Sequence, residues 1–387
     1  MKKLTLLLED GTALPGESFG ADTETSGEVV FNTGMVGYPE SFTDPSYTGQ
    51  ILVLTYPLIG NYGVPGSSKN AHKLEKHFES DRIRISGAVV ANYSENFNHW
   101  EAKQSLGDWL TSQNIPAITD IDTRTLTQKI RSKGAMLGVL TKHPEQFFDS
   151  RGKIILEKFY DPNKENLVAK VSVKRPITYR THTAQRSALF PSSSPHFPQP
   201  KHPKHIILVD CGMKLNILRS FLERDISVTR VPWNYNPWKK DPKAKFDGIF
   251  FSNGPGDPAR LPEIVETMKE AFRRKIPTFG ICLGSQIMGI AAGGTTFKLK
   301  FGHRSQNQPC IDLETKRCYI TSQNHGYAVD PKSMNKDWKV WLQNANDQTV
   351  EGIKHKSLPF SSVQFHPEST PGPTDTIGLF DQFIAQL

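Results

Sequence analysis

Between Val173 and His205 the chain changes character more sharply than anywhere else along its length. These 33 residues hold six prolines, the run Ser192-Ser193-Ser194, four histidines and six Lys or Arg, with no Asp or Glu. Proline fixes φ, removes an amide donor and restricts the residue before it, so neither a helix nor a central strand propagates through such a stretch. It therefore divides the 387-residue chain into two units, 1–172 and 206–387, each long enough to bury a core of its own. It also holds most of the charge. The whole chain carries a formal +8, and Lys174, Arg175, Arg180, Arg186, Lys201 and Lys204 supply +6 of it. A nucleic-acid surface needs its cations on a folded face with aromatics interleaved. Here Tyr179, Phe190 and Phe197 are widely scattered, so 173–205 reads as a solvated linker and no nucleic-acid partner is expected.

Upstream of it, 4–8, 27–33, 50–56 and 85–93 are rich in β-branched and aromatic residues and are broken by Gly, Pro and Asp-Pro turns, which predicts strands. Helices are predicted over 71–80, 105–113 and 123–132, making the first unit a mixed β/α domain. Downstream, strands over 205–210, 227–231, 247–251 and 278–281 alternate with helices over 214–223, 261–275 and 283–292. That spacing predicts an α/β fold with a doubly wound, mainly parallel sheet, in which ligands sit at the carboxyl ends of strands. No stretch approaches the roughly 20 apolar residues of a membrane span. The apolar run from Leu4 to Leu8 stops at Glu9-Asp10, short of a signal-peptide core. The four cysteines, Cys211, Cys282, Cys310 and Cys318, form no CxxC pair, so no disulfide framework and a cytoplasmic location are expected.

The loop leaving the strand over 278–281 reads Gly280-Ile281-Cys282-Leu283-Gly284. A cysteine so flanked, where a strand turns directly into a helix, is the nucleophile-elbow layout with sulfur in place of hydroxyl. The helix N-terminus favours the thiolate, which is the reactive form. A lone cysteine in a core strand is more often an inert apolar residue; the elbow reverses that balance. A thiolate nucleophile needs a base and a group to orient it. Val363-Gln364-Phe365-His366-Pro367-Glu368 supplies both. His366 closes an apolar strand, and Glu368, two residues on, falls on the same side of an extended chain and can fix the imidazole tautomer. Ser252-Asn253-Gly254-Pro255-Gly256-Asp257-Pro258 follows another strand. Its glycines leave backbone N–H groups open to developing negative charge, with the Leu283 N–H as a second donor. Neither a G-x-x-x-x-G-K-[ST] loop nor a dinucleotide fingerprint occurs. Cys310 and Cys318 have no partners at metal-ligand spacing, His303 and His325 read as loop-forming or supporting groups, and no metal site is expected.

In this order the three elements resemble the class I (triad) glutamine amidotransferases. The first unit sharpens the resemblance. Phe31-Asn32-Thr33-Gly34-Met35-Val36-Gly37-Tyr38-Pro39-Glu40, Thr43-Asp44-Pro45-Ser46-Tyr47 and Leu54-Thr55-Tyr56-Pro57-Leu58-Ile59-Gly60-Asn61-Tyr62-Gly63 are similar to the small, glutamine-hydrolysing subunit of carbamoyl-phosphate synthase. So are Phe301-Gly302-His303, Gln323-Asn324-His325-Gly326-Tyr327-Ala328-Val329 and the tail from His366 to Pro373. Amidotransferases for anthranilate, GMP or CTP synthesis share the triad but lack this first unit.

The resemblance implies roles position by position. Cys282 would attack the glutamine carboxamide, His366 would serve as base and then acid, and Glu368 would orient it. Gly254, Gly256 and Leu283 would hold the oxyanion and substrate backbone, and Ser46, Gln286, Asn324, Gly326 and Tyr327 would contact glutamine or its thioester. Ammonia would pass to a separate large subunit, in a heterodimer or higher assembly. That subunit would use two ATP, with Mg, and bicarbonate to make carbamoyl phosphate for arginine and pyrimidine synthesis, leaving this chain with no cofactor of its own. The first unit, with no chemistry of its own visible, is expected to be a docking surface for that partner. Ser285 departs from the family, which more often has His there. Two other readings compete: a catalytically degenerate regulatory or scaffolding subunit, and an amidotransferase feeding another synthetase. The intact Cys282, His366 and Glu368 argue against the first, and the presence of residues 1–172 against the second.

Overall fold

The computed structural model describes residues 2–180 and 204–387; of the linker expected over 173–205, residues 181–203 lie outside the described residues. In the first half the strands Lys2–Leu8 (β1), Ala13–Ser18 (β2), Thr25–Asn32 (β3), Gln50–Leu54 (β4), Gly87–Val89 (β5), Ala117–Thr119 (β6) and Met136–Thr141 (β7) close into a barrel in the order β1-β7-β3-β4-β5-β6-β2. Alternation sorts their side chains onto two faces. Val30, Leu52, Leu54, Ala88 and Ala117 pack with Leu106, Trp109 and Leu110 of the helix Leu106–Ser112 (α1). Val29, Phe31, Ile51, Val53, Val89 and Ile118 pack with Leu126 and Ile130 of the helix Thr123–Lys133 (α2). Both helices start at side-chain caps: Ser105 accepts the Asp108 N–H at 3.0 Å and Asp122 the Thr125 N–H at 2.9 Å.

The helix predicted over 71–80 does not form. The Asn70 side-chain oxygen accepts the His72 and Leu74 N–H groups at 3.0 and 3.1 Å, and Lys73 takes a φ of 62°. A local side-chain turn thus outcompetes the helix and leaves 75–80 as irregular chain against the second half.

The second half is built on one ten-stranded sheet. Its strands are Ile177–Tyr179 (β8), His205–Asp210 (β9), Ser227–Pro232 (β10), Gly248–Phe251 (β11), Thr278–Ile281 (β12), Thr296–Asp312 (β13), Cys318–Val329 (β14), Trp338–Asn344 (β15), Val350–His355 (β16) and Phe360–Val363 (β17), in the order β8-β10-β9-β11-β12-β17-β16-β15-β13-β14. The run β10-β9-β11-β12-β17 is parallel, and the flanking strands pair antiparallel. The expected parallel sheet is therefore the centre of a mixed one. Strand β8 falls within the expected linker and is an edge strand instead, paired with Val228, Thr229 and Arg230 of β10. Ile177, Thr178 and Tyr179 have the β-branched and aromatic character of a strand, and Pro176, just before it, is tolerated at a strand start.

Alternation again separates the faces. Ile206 and Leu208 pack with Leu218 and Phe221 of Leu215–Leu222 (α3). Ile207 and Val209 pack with Ile264 and Met268 of Pro262–Arg273 (α4) and Ile287 and Met288 of Leu283–Ala291 (α5). With both faces covered, the loops leaving the carboxyl ends of the central strands are where chemistry can be placed.

Candidate active site

Cys282 ends β12 and begins α5 with φ 53° and ψ −103°, a conformation that L side chains adopt only when their surroundings enforce it. Here the surroundings are steric. A Cβ on Gly280 would come within 2.6 Å of the Gly284 backbone, and one on Gly284 within 2.3 Å of the Phe251 carbonyl oxygen. The Cys282 N–H is tied to the Val363 carbonyl of the neighbouring β17 at 2.9 Å, and the thiol lies 3.6 Å from the Asn324 carbonyl.

Strand β17 also delivers the base. His366 Nδ1 lies 2.6 Å from Glu368 Oε1, and His366 Nε2 is buried with no hydrogen-bond partner among the described residues. Burial alone would lower the pKa of His366, but the Glu368 carboxylate, with the Cys282 thiol also beside it, raises it to about 10. Burial would raise that of Glu368, yet Lys214 and His366 together take it down to about 2. An imidazolium and a carboxylate are thereby held as a pair away from water.

Lys214 is a member of the site that sequence pattern does not mark. Its Nζ is 3.2 Å from Glu368 Oε1 and donates to the Ser369 carbonyl, while its N–H donates to Asn253 Oδ1 at 3.0 Å. It is buried, and Glu368, Glu79 and Asp44 outweigh the desolvation that would otherwise discharge it. A single lysine at the start of a predicted helix carries no pattern that distinguishes it from a solvated one.

The first half supplies part of the site. Asp44 Oδ1 accepts the Ser46 N–H at 2.9 Å, and Asp44 Oδ2 accepts from Asn324 Nδ2 at 2.9 Å. Asn253 Nδ2 donates to Ser46 Oγ at 2.9 Å. These bonds lock a barrel loop to the loop after β11 and to strand β14 of the sheet half. Ser46, Gly254, Gly256, Cys282, Gln286, Asn324, Gly326 and Tyr327 line one cavity, joined by Glu28, Lys298 and Arg304. Lys298 donates to Glu28 at 2.7 Å, and Lys298 with Arg304 holds the buried Glu28 carboxyl below its ordinary pKa despite desolvation. The cavity wall thus carries both signs of charge beside the thiol. Leu283 lies outside that lining, but its N–H, at the first position of α5, has no partner within the helix. Gln286 Nε2 is held by the Tyr327 carbonyl at 2.9 Å. Ser285 bonds the Ser362 hydroxyl at 2.9 Å and lies outside the cavity, so its departure from the family does not alter the wall.

His303 and His325 gather with Glu351, their possible ligand atoms all within 4.8 Å of one another. His303 Nε2 is 2.8 Å from Asp347, and His325 Nδ1 is 2.8 Å from the Tyr327 carbonyl. Burial lowers the pKa of His303, but Glu351 and Asp347 raise it overall, whereas burial takes that of His325 well down. These directions favour the protonated form of His303 beside Asp347 and the neutral form of His325, whose Nδ1 meets the Tyr327 carbonyl within β14.

Glu40 is a further acid, half-buried, and its shielded Oε2 has no hydrogen-bond partner among the described residues. Burial, with Glu79 nearby, pushes its pKa from the ordinary 4.5 up to about 7. A raised carboxyl pKa in the fold contributes stability below the unfolded value, and that contribution is lost as pH rises through 7. Glu40→Gln stays neutral throughout. It is expected to be more stable than the wild type at pH 8–9, by up to about 3 kcal/mol, with the gap closing toward pH 5. Thermal unfolding across that range checks this, and a pH-independent gap would refute it.

Residues 6–140 match the family model described as "Carbamoyl-phosphate synthase small chain, CPSase domain", and residues 207–386 match "Glutamine amidotransferase class-I". The chain is 43% identical to the carbamoyl phosphate synthase small chain of Pyrococcus furiosus, covering 100% of this chain and 98% of that protein. It is 45% identical to the carbamoyl phosphate synthase arginine-specific small chain of Neosartorya fischeri, covering 99% of this chain and 79% of that one. It is 47% identical to the multifunctional protein URA2 of Saccharomyces cerevisiae over 98% of this chain, but spans only 17% of that protein's length.

Proposed function

The chain belongs to the carbamoyl-phosphate synthase small-chain family, and on that premise we propose that it hydrolyses glutamine at Cys282 and delivers the ammonia to a large, ATP-using subunit. The observation that carries this reading is the buried Cys282–His366–Glu368 arrangement opening onto a cavity whose wall is built by both halves of the chain.

Glutamine enters with its carboxamide at the thiolate and its charged end against the mixed-sign wall. Cys282 Sγ attacks the carboxamide carbon, and the negative charge that develops on oxygen meets the Leu283 N–H and the loop containing Gly254 and Gly256. The His366 imidazolium gives its proton to the departing nitrogen, the C–N bond breaks, and ammonia leaves a glutamyl thioester on Cys282. The now neutral His366 takes a proton from water as that water attacks the thioester. The C–S bond breaks, glutamate departs with its acid proton going to solvent, and the thiolate beside the imidazolium is restored. Glu368, kept ionised by Lys214, holds the imidazole in one orientation through both steps.

The proposed partner makes carbamoyl phosphate from bicarbonate, ammonia and two ATP, with Mg, for arginine and pyrimidine synthesis, and this chain needs no cofactor for its own step. Among the described residues no helix is long and apolar enough to cross a membrane, and the cytoplasm is the proposed location. The test is to mix the chain with its co-purifying partner and measure glutamate and carbamoyl phosphate together, with acid-quenched samples examined for a glutamyl adduct on Cys282. Equal release of the two products and an adduct on that residue are expected. Glutamate release without a synthetase partner, or an adduct elsewhere, would overturn the reading.

A further inference from the structure

Helix α3 has no side-chain cap of its own: its N-cap position is Lys214, a cation at the end of a helix that favours anions. Its first N–H groups have no partners within the helix, and the barrel half supplies them. The Glu79 carbonyl accepts the Leu215 N–H at 2.9 Å, and Glu79 Oε2 accepts the Asn216 N–H at 3.0 Å. Glu79 Oε1 receives the Arg219 guanidinium, which also reaches the Phe78 carbonyl at 3.2 Å. Glu79 is fully buried and Arg219 nearly so. From the same turn a second set of bonds runs to the triad. Asn216 Nδ2 donates to the Glu368 carbonyl, Asn216 Oδ1 accepts from Arg219 Nε at 2.9 Å, and Lys214 contacts the Glu368 carboxylate.

We propose that Glu79 is a positioning residue for the triad, capping α3 from the barrel half and, through Asn216 and Arg219, fixing the peptide that carries Glu368. This rests on the triad reading above. The 2.6 Å contact between Glu368 and His366 then depends on the barrel half staying seated against α3, because that half supplies, among the described residues, the carboxylate that accepts a backbone N–H of the first turn of α3. A buried ion pair that merely held the halves together would change stability and leave the chemistry of properly folded molecules alone.

Two substitutions in the full chain separate these roles. Glu79→Gln keeps the shape and removes the charge. Asn216→Ala leaves the Glu79–Arg219 pair in place and removes the bond to the Glu368 carbonyl. Each is expected to lower kcat for glutamine hydrolysis about tenfold, as a small misplacement of a catalytic group does, with KM within about twofold. In each the alkaline limb of the pH–rate profile should move to lower pH, because a displaced Glu368 no longer holds the His366 proton. Glu79→Asp, which restores the charge, should recover part of the loss. Alkylation of Cys282 by iodoacetamide at pH 7 should slow in parallel, a readout that needs no turnover. Unchanged kcat, pH profile and alkylation in Asn216→Ala would overturn the proposal. So would activity losses that only track the unfolded fraction seen by circular dichroism. A wild type that releases no glutamate, or a Cys282→Ser that does, would refute the glutaminase reading instead, and the alkylation rates would still decide the role of Glu79.

Discussion

Cys282→Ser is expected to abolish glutamine hydrolysis while the assembled complex still makes carbamoyl phosphate from added ammonia. Exchanging sulfur for oxygen barely alters the packing at a position whose backbone is set by Gly280 and Gly284, so the variant should fold. Its hydroxyl, however, has no thiolate-like form near neutral pH. The base beside it is equally unsuited: His366, with its pKa raised to about 10 by Glu368 and the thiol against the pull of burial, is an imidazolium at pH 7. It is poised to protonate a leaving amine rather than to strip a proton from an alcohol. Removing a nucleophile of this kind costs more than about 10^4-fold in kcat. Glutamate release and ammonia-driven synthesis, measured on the same preparation, check both halves of the expectation. Residual glutaminase activity above that floor would remove Cys282 from its assigned role, and loss of the ammonia-driven reaction would mean that the substitution had disturbed the assembly.

The parts of this site that were legible in the sequence are those in which chemistry is written into neighbouring residues. Gly280-Ile281-Cys282-Leu283-Gly284 announces its elbow because both glycines are needed within one turn, and His366 and Glu368 announce a pair by their two-residue spacing, although a turn closed by the Ser369 N–H on the His366 carbonyl, rather than extended chain, brings them together. Strands β9, β11 and β12 were legible for a similar reason: buried along nearly their whole length, they are short, mainly apolar runs bounded by turns and helices. What was not legible depends on partners distant in the chain. Barrel closure requires β1 to pair with β7 and β2 with β6, and nothing local to Lys2–Leu8 specifies that. The apolar and charged residues over 71–80 suit a helix until the Asn70 side chain takes the Leu74 N–H, which the helix would bond to the Asn70 carbonyl, and Lys73 turns to a φ of 62°. Asp44 reads as the first residue of an Asp-Pro turn, and only the fold brings Asn324 to its second oxygen. Lys214 is the extreme case, since its role comes from three carboxylates at positions 44, 79 and 368.

That lysine carries the other large effect. Lys214→Met keeps most of the length and apolar stem but leaves Glu368 in a buried site with His366 as its one cationic contact among the described residues. Breaking a buried pair by removing one partner strands the other charge, and the expected destabilisation is about 3–5 kcal/mol, far above that of an exposed pair. The pH dependence has a definite sign. In the wild type the Glu368 pKa is depressed to about 2, the tendency of burial being outweighed first by Lys214 and then by His366. A depressed carboxyl contributes stability above its ordinary pKa, and that contribution fades as pH falls through the folded value. Without Lys214 the folded value rises, so acid unfolding should begin at a higher pH than in the wild type, and glutaminase activity should fall on the acid side first. Denaturant unfolding at pH 7 and at pH 4.5 measures both effects. If the variant unfolds at the wild-type midpoint at both pH values, the carboxylate is held ionised by hydrogen bonding and His366 alone, and the route from the barrel half to the triad runs through Asn216 rather than through charge.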